Sequence, residues 1–517
     1  MVLVFPSDLK TFTKASIMAI VPSNGFHPST ISHENQIPKS NAIYTCFVLN
    51  AKIIATIGPT TSSKKMLKRL IQRGVNVCRL NFSHLSHEKA KEIIASIKEV
   101  NQELHVHTAI LADLQGPKIR VGEFDKPIQL KKGEEVTFCS KKKKDTIHIN
   151  YKDFAKDVKT NDRVLLDDGK LALKVISTNK KDSVILKVVF GGLLQSRKGV
   201  NLPNTKISLP CLTKKDYKDL EFILKEKIEW VGLSFVRSAN DVKILKKIIE
   251  KQKLHHKVIA KIEKPEAIKD IDAIIEASDA IMVARGDLGV EVPPHKVPVY
   301  QKMIVEKCIA RARPVVIATQ MLESMTENPT ATRAEVNDVA NSVIDGSDAV
   351  MLSGETSVGK HPLKVVETMR EIIRDVEGSE HSISRKRVNK VVIDDTRLLT
   401  NAICSHACDI AENTSAKAII TVTYSGFNTI KTSSYRPNAF IYAFTNNHTI
   451  LNTLSLVWGV RGFYYDRGTT TDQTIRETKE ILRDGGFLKK GDLVVNLASM
   501  PAQEKGKTNM MKLSKVK

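Results

Sequence analysis

The stretch that decides the fold reads AKIEKPEAIKDIDAIIEASDAIMVARGDLGVE and covers residues 260–291. Apolar runs at Val258–Ile262 and Ala280–Ala284 have the length and composition of buried strands. Between them, apolar residues recur three and four positions apart, as they do on one face of a helix: Ala267, Ile268, Ile271, Ile274 and Ile275. The stretch therefore predicts a strand–helix–strand unit.

Charged residues stand at the carboxyl end of each of these two strands. Lys261 and Glu263 are two positions apart, so they share one face of an extended chain. Asp287 follows the next strand in a turn between Gly286 and Gly289. Because neighbouring parallel strands end side by side, we expect Glu263 and Asp287 to meet with Lys261 beside them. Two carboxylates and an ammonium suit a hard divalent cation that holds a phosphate; from spacing alone, a surface salt-bridge cluster is the alternative.

Composition places the chain among ordinary globular proteins. Its 517 residues, of which 42% are hydrophobic and 26% charged, predict two or three domains with a large core. No apolar run reaches the roughly 18 residues that span a bilayer, so we expect no membrane partner. Seven cysteines, an odd number without a C-x-x-C pair, argue against a disulfide framework or a zinc ribbon. A reducing, cytoplasmic location is the prediction.

The net charge of +23 raises the alternative of a nucleic-acid-binding protein. The excess is chiefly lysine spread over predicted helix faces, with few arginines and no interleaved aromatic residues. The one true run, Lys141–Lys144, has the character of a turn between two short strands. We therefore expect no nucleic-acid partner, and a surface that attracts anionic metabolites.

Eight strand-like runs, most of them separated by amphipathic helices, indicate a parallel α/β fold. The runs are Ala51–Ile57, Asn76–Phe82, Thr108–Leu114, Trp230–Phe235, Val258–Ile262, Ala280–Ala284, Pro314–Ala318 and Ala349–Leu352. Eight such units are the count of a (β/α)₈ TIM barrel. A doubly wound open sheet is the alternative, but the pattern lacks a clear switch point, which favours closure.

Changes in the pattern of predicted strands and helices along the chain predict the domain organisation. Between the third and fourth strands, short β-rich runs alternate with turn residues, which indicates a small all-β domain inserted over the active-site face. After Gly378 a second α/β pattern begins. The predicted domains are a weakly ordered N-terminal extension at 1–49, a catalytic barrel at 50–116 and 210–378, an inserted β-barrel lid at 117–209, and a C-terminal open-sheet α/β domain at 379–517.

Eight motifs, in order along the chain, resemble those of the pyruvate kinase family. They are ATIGPTT (55–61), RLNFSH (79–84), DLQGPKIRVG (113–122), KGVNLP (198–203), KIE (261–263), MVARGDLGVE (282–291), ATQMLESM (318–325) and MLSGET (351–356). The resemblance extends from about residue 51 to the C-terminus and includes the inserted domain. It implies phosphoryl transfer from phosphoenolpyruvate to ADP, which gives pyruvate and ATP, and a homotetramer.

The resemblance also implies roles for residues that transfer the phosphoryl group. Glu263 and Asp287 would bind Mg²⁺ or Mn²⁺, and Lys261 would stabilise charge on the phosphoryl group in transit. Arg79 and Arg120 would hold phosphate oxygens through several hydrogen bonds.

Further family positions concern the two substrates. The carboxylate of phosphoenolpyruvate would bind backbone amides at Gly286 and Asp287, with Thr319 beside the face of the enolate. Because a threonine hydroxyl is a poor acid, we expect a water chain near Ser353 and Glu355 to deliver the proton. The nucleotide would contact a set shared by the barrel and the lid: Asn81, Ser83, His84, Arg120 and Lys198.

A departure at Lys118 concerns potassium. Many family members bind K⁺ at positions that match Asn81, Ser83, Asp113 and the carbonyl of Leu114. In that subgroup a glutamate occupies the position of Lys118. A tethered ammonium can supply the positive charge of a diffusible K⁺, so we expect Lys118 to replace the ion.

Two readings compete with this one. Another Mg²⁺-dependent barrel enzyme that handles phosphoenolpyruvate or oxaloacetate, such as an aldolase or mutase, would share the acidic site but would not need a lid carrying Arg120 and Lys198. A nucleic-acid-binding protein would show steep salt-dependent binding and no ADP-dependent turnover.

Overall fold

The computed structural model describes residues 49–203, 205–226, 228–379, 397–467, 470–500 and 508–517. The predicted N-terminal extension lies outside the described residues, apart from Leu49. None of the described helices is both long and apolar enough to cross a membrane.

The chain begins with the predicted alternation of strand and helix. The first elements are β1 (Lys52–Ile57), α1 (Lys64–Gln72), β2 (Val75–Asn81), α2 (His87–Leu104) and β3 (Ala109–Asp113). Helix α1 begins after Ser63, whose side chain accepts a hydrogen bond from the amide of Met66. Gly74 follows the helix with φ of +109°, a conformation that is strained for other residues. Local capping and a glycine turn thus set the boundaries of the first unit.

The insertion is built almost entirely of strands. The strands are β4 (Ile128–Leu130), β5 (Glu135–Cys139), β6 (Ile147–His148), β7 (Arg163–Leu166), β8 (Leu171–Thr178), β9 (Ser183–Phe190), β10 (Gly192–Leu194) and β11 (Val200–Asn201). One four-residue helix, α3 (Phe154–Asp157), lies between β6 and β7. Six of the strands form a sheet in the order β11-β7-β8-β9-β5-β6. Isolated bridges join Arg120 to Gly199 and Val121 to Ile149, so the first segment of the insertion lies between the two edges of that sheet. These bridges give the insertion the closed form expected of a small β-barrel.

After the insertion the chain returns to alternating helices and strands. They are α4 (Lys214–Lys225), β12 (Trp230–Leu233), α5 (Ala239–Lys251), β13 (Lys257–Ile262), α6 (Pro265–Lys269), α7 (Ile271–Ala277), β14 (Ala280–Ala284), α8 (Arg285–Glu291), α9 (Val297–Ala310), β15 (Val315–Ala318), α10 (Arg333–Ile344), β16 (Ala349–Leu352), α11 (Gly354–Ser357) and α12 (Pro362–Gly378). Reciprocal capping boxes begin α4 at Thr213 and α10 at Thr332.

Eight parallel strands close into one barrel in the order β1-β16-β15-β14-β13-β12-β3-β2. The closing pair is β1 with β16, in which Lys52 lies opposite Ala349. One apolar cluster takes residues from all eight strands, among them Trp230 and Met282, and fills the interior. A larger cluster packs the strands against the outer helices. The prediction of a (β/α)₈ barrel is confirmed, and the open-sheet alternative is wrong.

The C-terminal part is an open α/β sheet, as predicted. Its elements are α13 (Leu398–Asn413), β17 (Ala418–Val422), α14 (Phe427–Ser434), β18 (Phe440–Thr445), α15 (His448–Leu454), β19 (Val460–Tyr464), α16 (Thr471–Asp484), β20 (Leu493–Ala498) and β21 (Met510–Lys515). The strand order is β19-β18-β17-β20-β21, and β21 alone runs antiparallel to its neighbour. The sequence pattern missed β21. The predicted domain boundaries themselves stay predictions.

A buried lysine joins the start of β1 to the C-terminal sheet. Lys52 is 4% exposed, and its Nζ donates to the carbonyls of Leu49 at 3.2 Å and Val460 at 3.0 Å. Burial lowers the pKa of Lys52 from 10.5 to about 8, although the charge of Glu377 opposes the shift. Burying the protonated lysine therefore lowers the stability of the folded state, and this penalty disappears when the side chain loses its proton.

This cost makes the stability of the junction depend on pH. Between about pH 8 and pH 10.5 the unfolded state keeps a proton on Lys52 that the folded state has released, so stability rises with pH. From about pH 7.5 to about pH 9.5, the unfolding free energy of the wild type should rise by about 2 kcal/mol relative to Lys52→Met. Urea denaturation of both proteins at matched pH measures this gap. Lys65→Met, which removes an exposed lysine of α1, controls for the loss of one charge.

Candidate active site

Asp113, at the end of β3, holds two cations from neighbouring strands. Arg79 Nη2 lies 2.7 Å from Asp113 Oδ2, and Lys261 Nζ lies 3.2 Å from Asp113 Oδ1. The Asp113 side chain is 1% exposed, and those of Arg79 and Lys261 are each 11% exposed. The parallel register of β2, β3, β12 and β13 brings these strand ends together. Three residues that are far apart in sequence therefore form one buried charge cluster.

Lys261 is held by three oxygen-bearing side chains. Besides Asp113, its Nζ lies 3.1 Å from Glu263 Oε1 and donates to Ser234 Oγ at 2.8 Å. Burial alone would lower the pKa of Lys261, but the charges of Asp113 and Glu263 outweigh it and raise the pKa. Burial would likewise raise the pKa of Asp113, but Lys261 and Arg79 hold it below its ordinary value. Lys261 is thus a fixed, protonated ammonium.

The two predicted metal-binding carboxylates differ in environment. Glu263 is buried and accepts a hydrogen bond from the amide of Phe235 at 2.6 Å; burial raises its pKa despite the charge of Lys261. The negative charge of Asp287 also contributes to that rise, which places the two carboxylates near each other. Asp287 is 29% exposed and lies 3.7 Å from Lys118 Nζ. No group of three or more His, Cys, Asp or Glu side chains forms a metal cage among the described residues.

This donor set fits Mg²⁺ better than a metal that needs a complete protein cage. Mg²⁺ keeps several waters and takes one or two carboxylates together with oxygens of its substrate. A partly exposed Asp287 beside a buried Glu263 leaves one side of the pair open to such ligands.

Thr319 lies beside the start of α8. Its Oγ1 accepts a hydrogen bond from the amide of Gly286 at 2.7 Å and donates to the carbonyl of Ala318 at 2.6 Å. Thr319 and Gln320 have φ of +70° and +56°, which non-glycine residues adopt at an energetic cost. The buried side chain of Arg285 donates to the carbonyl of Thr319 at 2.8 Å and so holds this backbone in place.

The predicted nucleotide residues come from two parts of the molecule. In the insertion, Arg120 Nη1 donates to the carbonyl of Arg197 at 3.0 Å, and Lys198 Nζ lies 2.8 Å from Asp167 Oδ1. On the barrel, burial and the charges of Arg120 and Lys118 lower the pKa of His84. His84 therefore lies in a strongly positive region that would attract phosphate groups.

The residues matched to a potassium site have partners of their own. Asn81 Oδ1 accepts from the amide of Ser83 at 3.2 Å, and the carbonyl of Leu114 accepts from Ser234 Oγ at 2.8 Å. The one ion pair that Lys118 makes among the described residues is with Asp287. Lys118 therefore lies beside Asp287, one of the two carboxylates predicted to bind the metal.

Sequence reasoning missed four residues of this site. Ser234 and Thr56 contact Lys261 and Arg79 respectively, and the side chain of Arg285 supports Thr319. Glu291 is buried in the same region. Ser234 and Arg285 occupy strand ends, so the rule that identified Lys261 could have found them.

The two residues of the expected proton relay are both in place for hydrogen bonding. Glu355 is buried and accepts from the amides of Leu322 and Ser353. Ser353 Oγ is buried without a hydrogen-bond partner among the described residues.

The Asp113 cluster yields a prediction that does not depend on the reaction. Asp113→Asn removes a charge that keeps Lys261 protonated, so burial should lower the pKa of Lys261. Competitive labelling with acetic anhydride over a pH range, followed by mass spectrometry, should show Lys261 reacting at lower pH in the variant. Lys257, at the other end of β13, is the internal reference. Identical titration in both proteins would contradict the assigned role of Asp113.

The chain matches known proteins over most of its length. A family model described as "Pyruvate kinase, barrel domain" matches residues 48–366, and one described as "Pyruvate kinase, alpha/beta domain" matches residues 401–514. A protein of Staphylococcus epidermidis named pyruvate kinase is 41% identical over 471 residues, which cover 89% of this chain and 80% of that protein. A pyruvate kinase of Geobacillus stearothermophilus is 40% identical over 469 residues, 89% of this chain and 79% of its own. The chain belongs to the pyruvate kinase family.

Proposed function

We propose that this enzyme transfers the phosphoryl group of phosphoenolpyruvate to ADP and produces pyruvate and ATP, the last step of glycolysis. The observation that carries the proposal is the fixed ammonium of Lys261 between Asp113 and Glu263 at the open end of the barrel. Phosphoryl transfer depends on positioning and on neutralising charge, and this cluster is suited to both.

Glu263 and Asp287 would hold Mg²⁺ or Mn²⁺. The bound ion would neutralise negative charge on the substrate and phosphoryl oxygens. The Asp287 carboxylate is 29% exposed and its ion pair with Lys118 is long, at 3.7 Å, so it can take this ligand. Glu263 is held in direction by the amide of Phe235.

Three cations would act on the phosphoryl group. Lys261 would stabilise the charge that develops as the bond from phosphorus to the enol oxygen breaks. Arg79, oriented by Asp113, would bind phosphate oxygens through its remaining donors. Arg120 would reach the same group from the insertion, where its guanidinium is anchored at one nitrogen by the Arg197 carbonyl.

The amides of Gly286 and Asp287 would orient the carboxylate of phosphoenolpyruvate beside Thr319. In the described structure the Gly286 amide donates to Thr319 Oγ1, so substrate binding would exchange this hydrogen bond for one to the carboxylate. The enolate left after transfer gains its proton at carbon through water near Thr319, with Ser353 at the far end of the relay. The buried Ser353 hydroxyl has no partner among the described residues, which leaves it available for a water.

The nucleotide would bind between the barrel and the insertion. Asn81, Ser83 and His84 would contact it from the barrel, and Arg120 and Lys198 from the insertion. Lys198 is paired with Asp167 and 33% exposed, so this surface ion pair contributes at most about 1 kcal/mol and can be exchanged for phosphate. In this arrangement the insertion acts as a lid. The homotetramer stays a prediction from the family resemblance, and the cytoplasmic location stays a prediction from the cysteine content.

The test of the proposed function is to supply phosphoenolpyruvate, ADP and Mg²⁺ and to measure pyruvate. Lys261→Met should lower kcat by about two to three orders of magnitude or more with little change in substrate affinity, because one well-placed charge contributes roughly 3–4 kcal/mol or more in the transition state. Lys257→Met, on the same strand but at its opposite end, is the matched control and should keep full turnover. A Lys261→Met enzyme with near-normal turnover would remove Lys261 from the mechanism, and a wild type without turnover would refute the proposed function.

We further propose that Lys118 makes the enzyme independent of K⁺. A pocket crowded with carboxylate and phosphate oxygens needs a positive charge, and the ammonium beside Asp287 supplies it. Wild-type turnover should persist in buffer freed of K⁺ and NH₄⁺, whereas Lys118→Glu should need added K⁺. Lys131→Glu, which makes the same charge change on an exposed part of the insertion, should leave the response to K⁺ unchanged. Wild-type activity that vanishes without K⁺ and returns on titration would count against this role.

A further inference from the structure

Both segments that connect the insertion to the barrel contact the short helix α8. On the outgoing segment, Lys118 Nζ lies 3.7 Å from Asp287 Oδ1. On the returning strand, Asn201 Nδ2 donates to Glu291 Oε1 at 2.8 Å. Asp287 and Glu291 are four residues apart in α8, so their side chains leave the helix on the same side. A rotation of the lid therefore pulls on both ends of this helix.

The contact at Glu291 is the buried one. Asn201, Lys264 and Glu291 are 9%, 7% and 4% exposed. Lys264 Nζ lies 2.6 Å from Glu291 Oε1, the same oxygen that accepts from Asn201. The other oxygen, Oε2, is buried and has no hydrogen-bond partner among the described residues. Asn201 and Lys264 thus both contact the same oxygen of the buried Glu291 carboxylate. Loss of either partner leaves the negative charge of Glu291 poorly compensated.

Lys264 connects this network to the second metal-binding residue. It follows Glu263 directly at the end of β13, where Glu263 is held by the amide of Phe235. Lys264 Nζ also lies 5.9 Å from the centre of the Phe235 ring. The ion pair between Lys264 and Glu291 therefore fixes the segment that carries Glu263 relative to the helix that carries Asp287.

We infer that Glu291 is a positioning residue that couples the lid to the two metal-binding carboxylates. Glu291 is not placed to touch substrate or metal; it holds α8 against the Glu263 segment and against Asn201 of the lid. When the lid moves, the bond from Asn201 either breaks or moves α8, and Asp287 moves with it. The inference rests on the proposed metal site, and its consequence is that the lid sets the affinity for the metal.

The test removes the lid's side of this contact while keeping the side-chain volume. Asn201→Leu deletes the donor and leaves the pair between Lys264 and Glu291 intact. Supporting groups around metal ligands commonly alter affinity 10- to 100-fold, so Mn²⁺ should bind about tenfold more weakly to the variant. Electron paramagnetic resonance of free Mn²⁺ in a titration of the full-length protein, without phosphoenolpyruvate or ADP, measures this binding and does not depend on turnover.

Thr205→Val is the matched control. Thr205 lies four residues further along the returning strand, is 4% exposed, and donates to Asp162 within the insertion at 2.8 Å. Its loss removes a partly buried hydrogen bond of the same length that does not reach α8, so Mn²⁺ affinity should stay at the wild-type value. Unchanged affinity in Asn201→Leu would overturn the inference, and so would an equal loss in both variants, because that would reflect general loosening of the lid.

A fallback variant covers the case in which Asn201→Leu does not fold. Asn201→Ser, which is smaller and still polar, then replaces it with the same expected loss of Mn²⁺ affinity.

A pair of variants at Lys264 tests the ion pair with Glu291. Lys264→Arg keeps the positive partner of Glu291 and should bind Mn²⁺ like the wild type, whereas Lys264→Gln should bind it several-fold more weakly. Equal binding by Lys264→Arg and Lys264→Gln would overturn the role of Glu291. A wild type that binds Mn²⁺ but lacks pyruvate kinase turnover would refute the proposed function alone.

Discussion

The site depends on the burial of one carboxylate between two cations. Asp113 is 1% exposed and lies within 3.2 Å of both the Arg79 guanidinium and the Lys261 ammonium. Without it, two positive charges would be brought together at low exposure with too little negative charge to compensate them, a severe desolvation cost. With it, Lys261 keeps its proton, and the directions of both cations are fixed before any substrate arrives. The same carboxylate that makes the cluster stable thus prepares it for an anionic ligand.

Barrel closure is what makes this arrangement available. Arg79, Asp113 and Lys261 are spread over about 180 residues of sequence, and a whole inserted domain lies between the strands of Asp113 and Lys261. Parallel pairing from β2 through β3 and β12 to β13 aligns their carboxyl ends regardless of that separation. Insertion of a β domain after β3 leaves the register intact because its outgoing and returning segments are held together by Asp216, which accepts from the amides of Gly116 and Thr213.

The sequence alone predicted those features that depend on the local pattern of residues. Strand ends carry their functional side chains at fixed offsets, so Lys261, Glu263 and Asp287 could be predicted together from one stretch, and the strand count predicted the barrel. Contacts set by three-dimensional register were not accessible in this way. Glu291 resembles an ordinary helix residue until the fold brings it to Lys264. Ser234 stands at a strand end and could have been singled out by the same rule, but its contact with Lys261 could not. Strand β21 was missed because MMKLSK has too few strongly apolar residues for a strand signal, and its pairing with β20 supplies the stabilisation.

The cations of the insertion that are proposed to bind the nucleotide have partners within the insertion itself. Lys198 is paired with Asp167 of the insertion itself, and Arg120 is anchored to the carbonyl of Arg197, so neither cation is committed to the barrel. The hydrogen bond from Asn201 to Glu291, by contrast, reaches across to the barrel and is buried. Exposed ion pairs exchange their partners at little cost, whereas a buried hydrogen-bonded charge does not. On the function proposed here, the lid would exchange its own ion pairs for phosphate more readily than it would give up the bond from Asn201 to α8, the helix that carries Asp287.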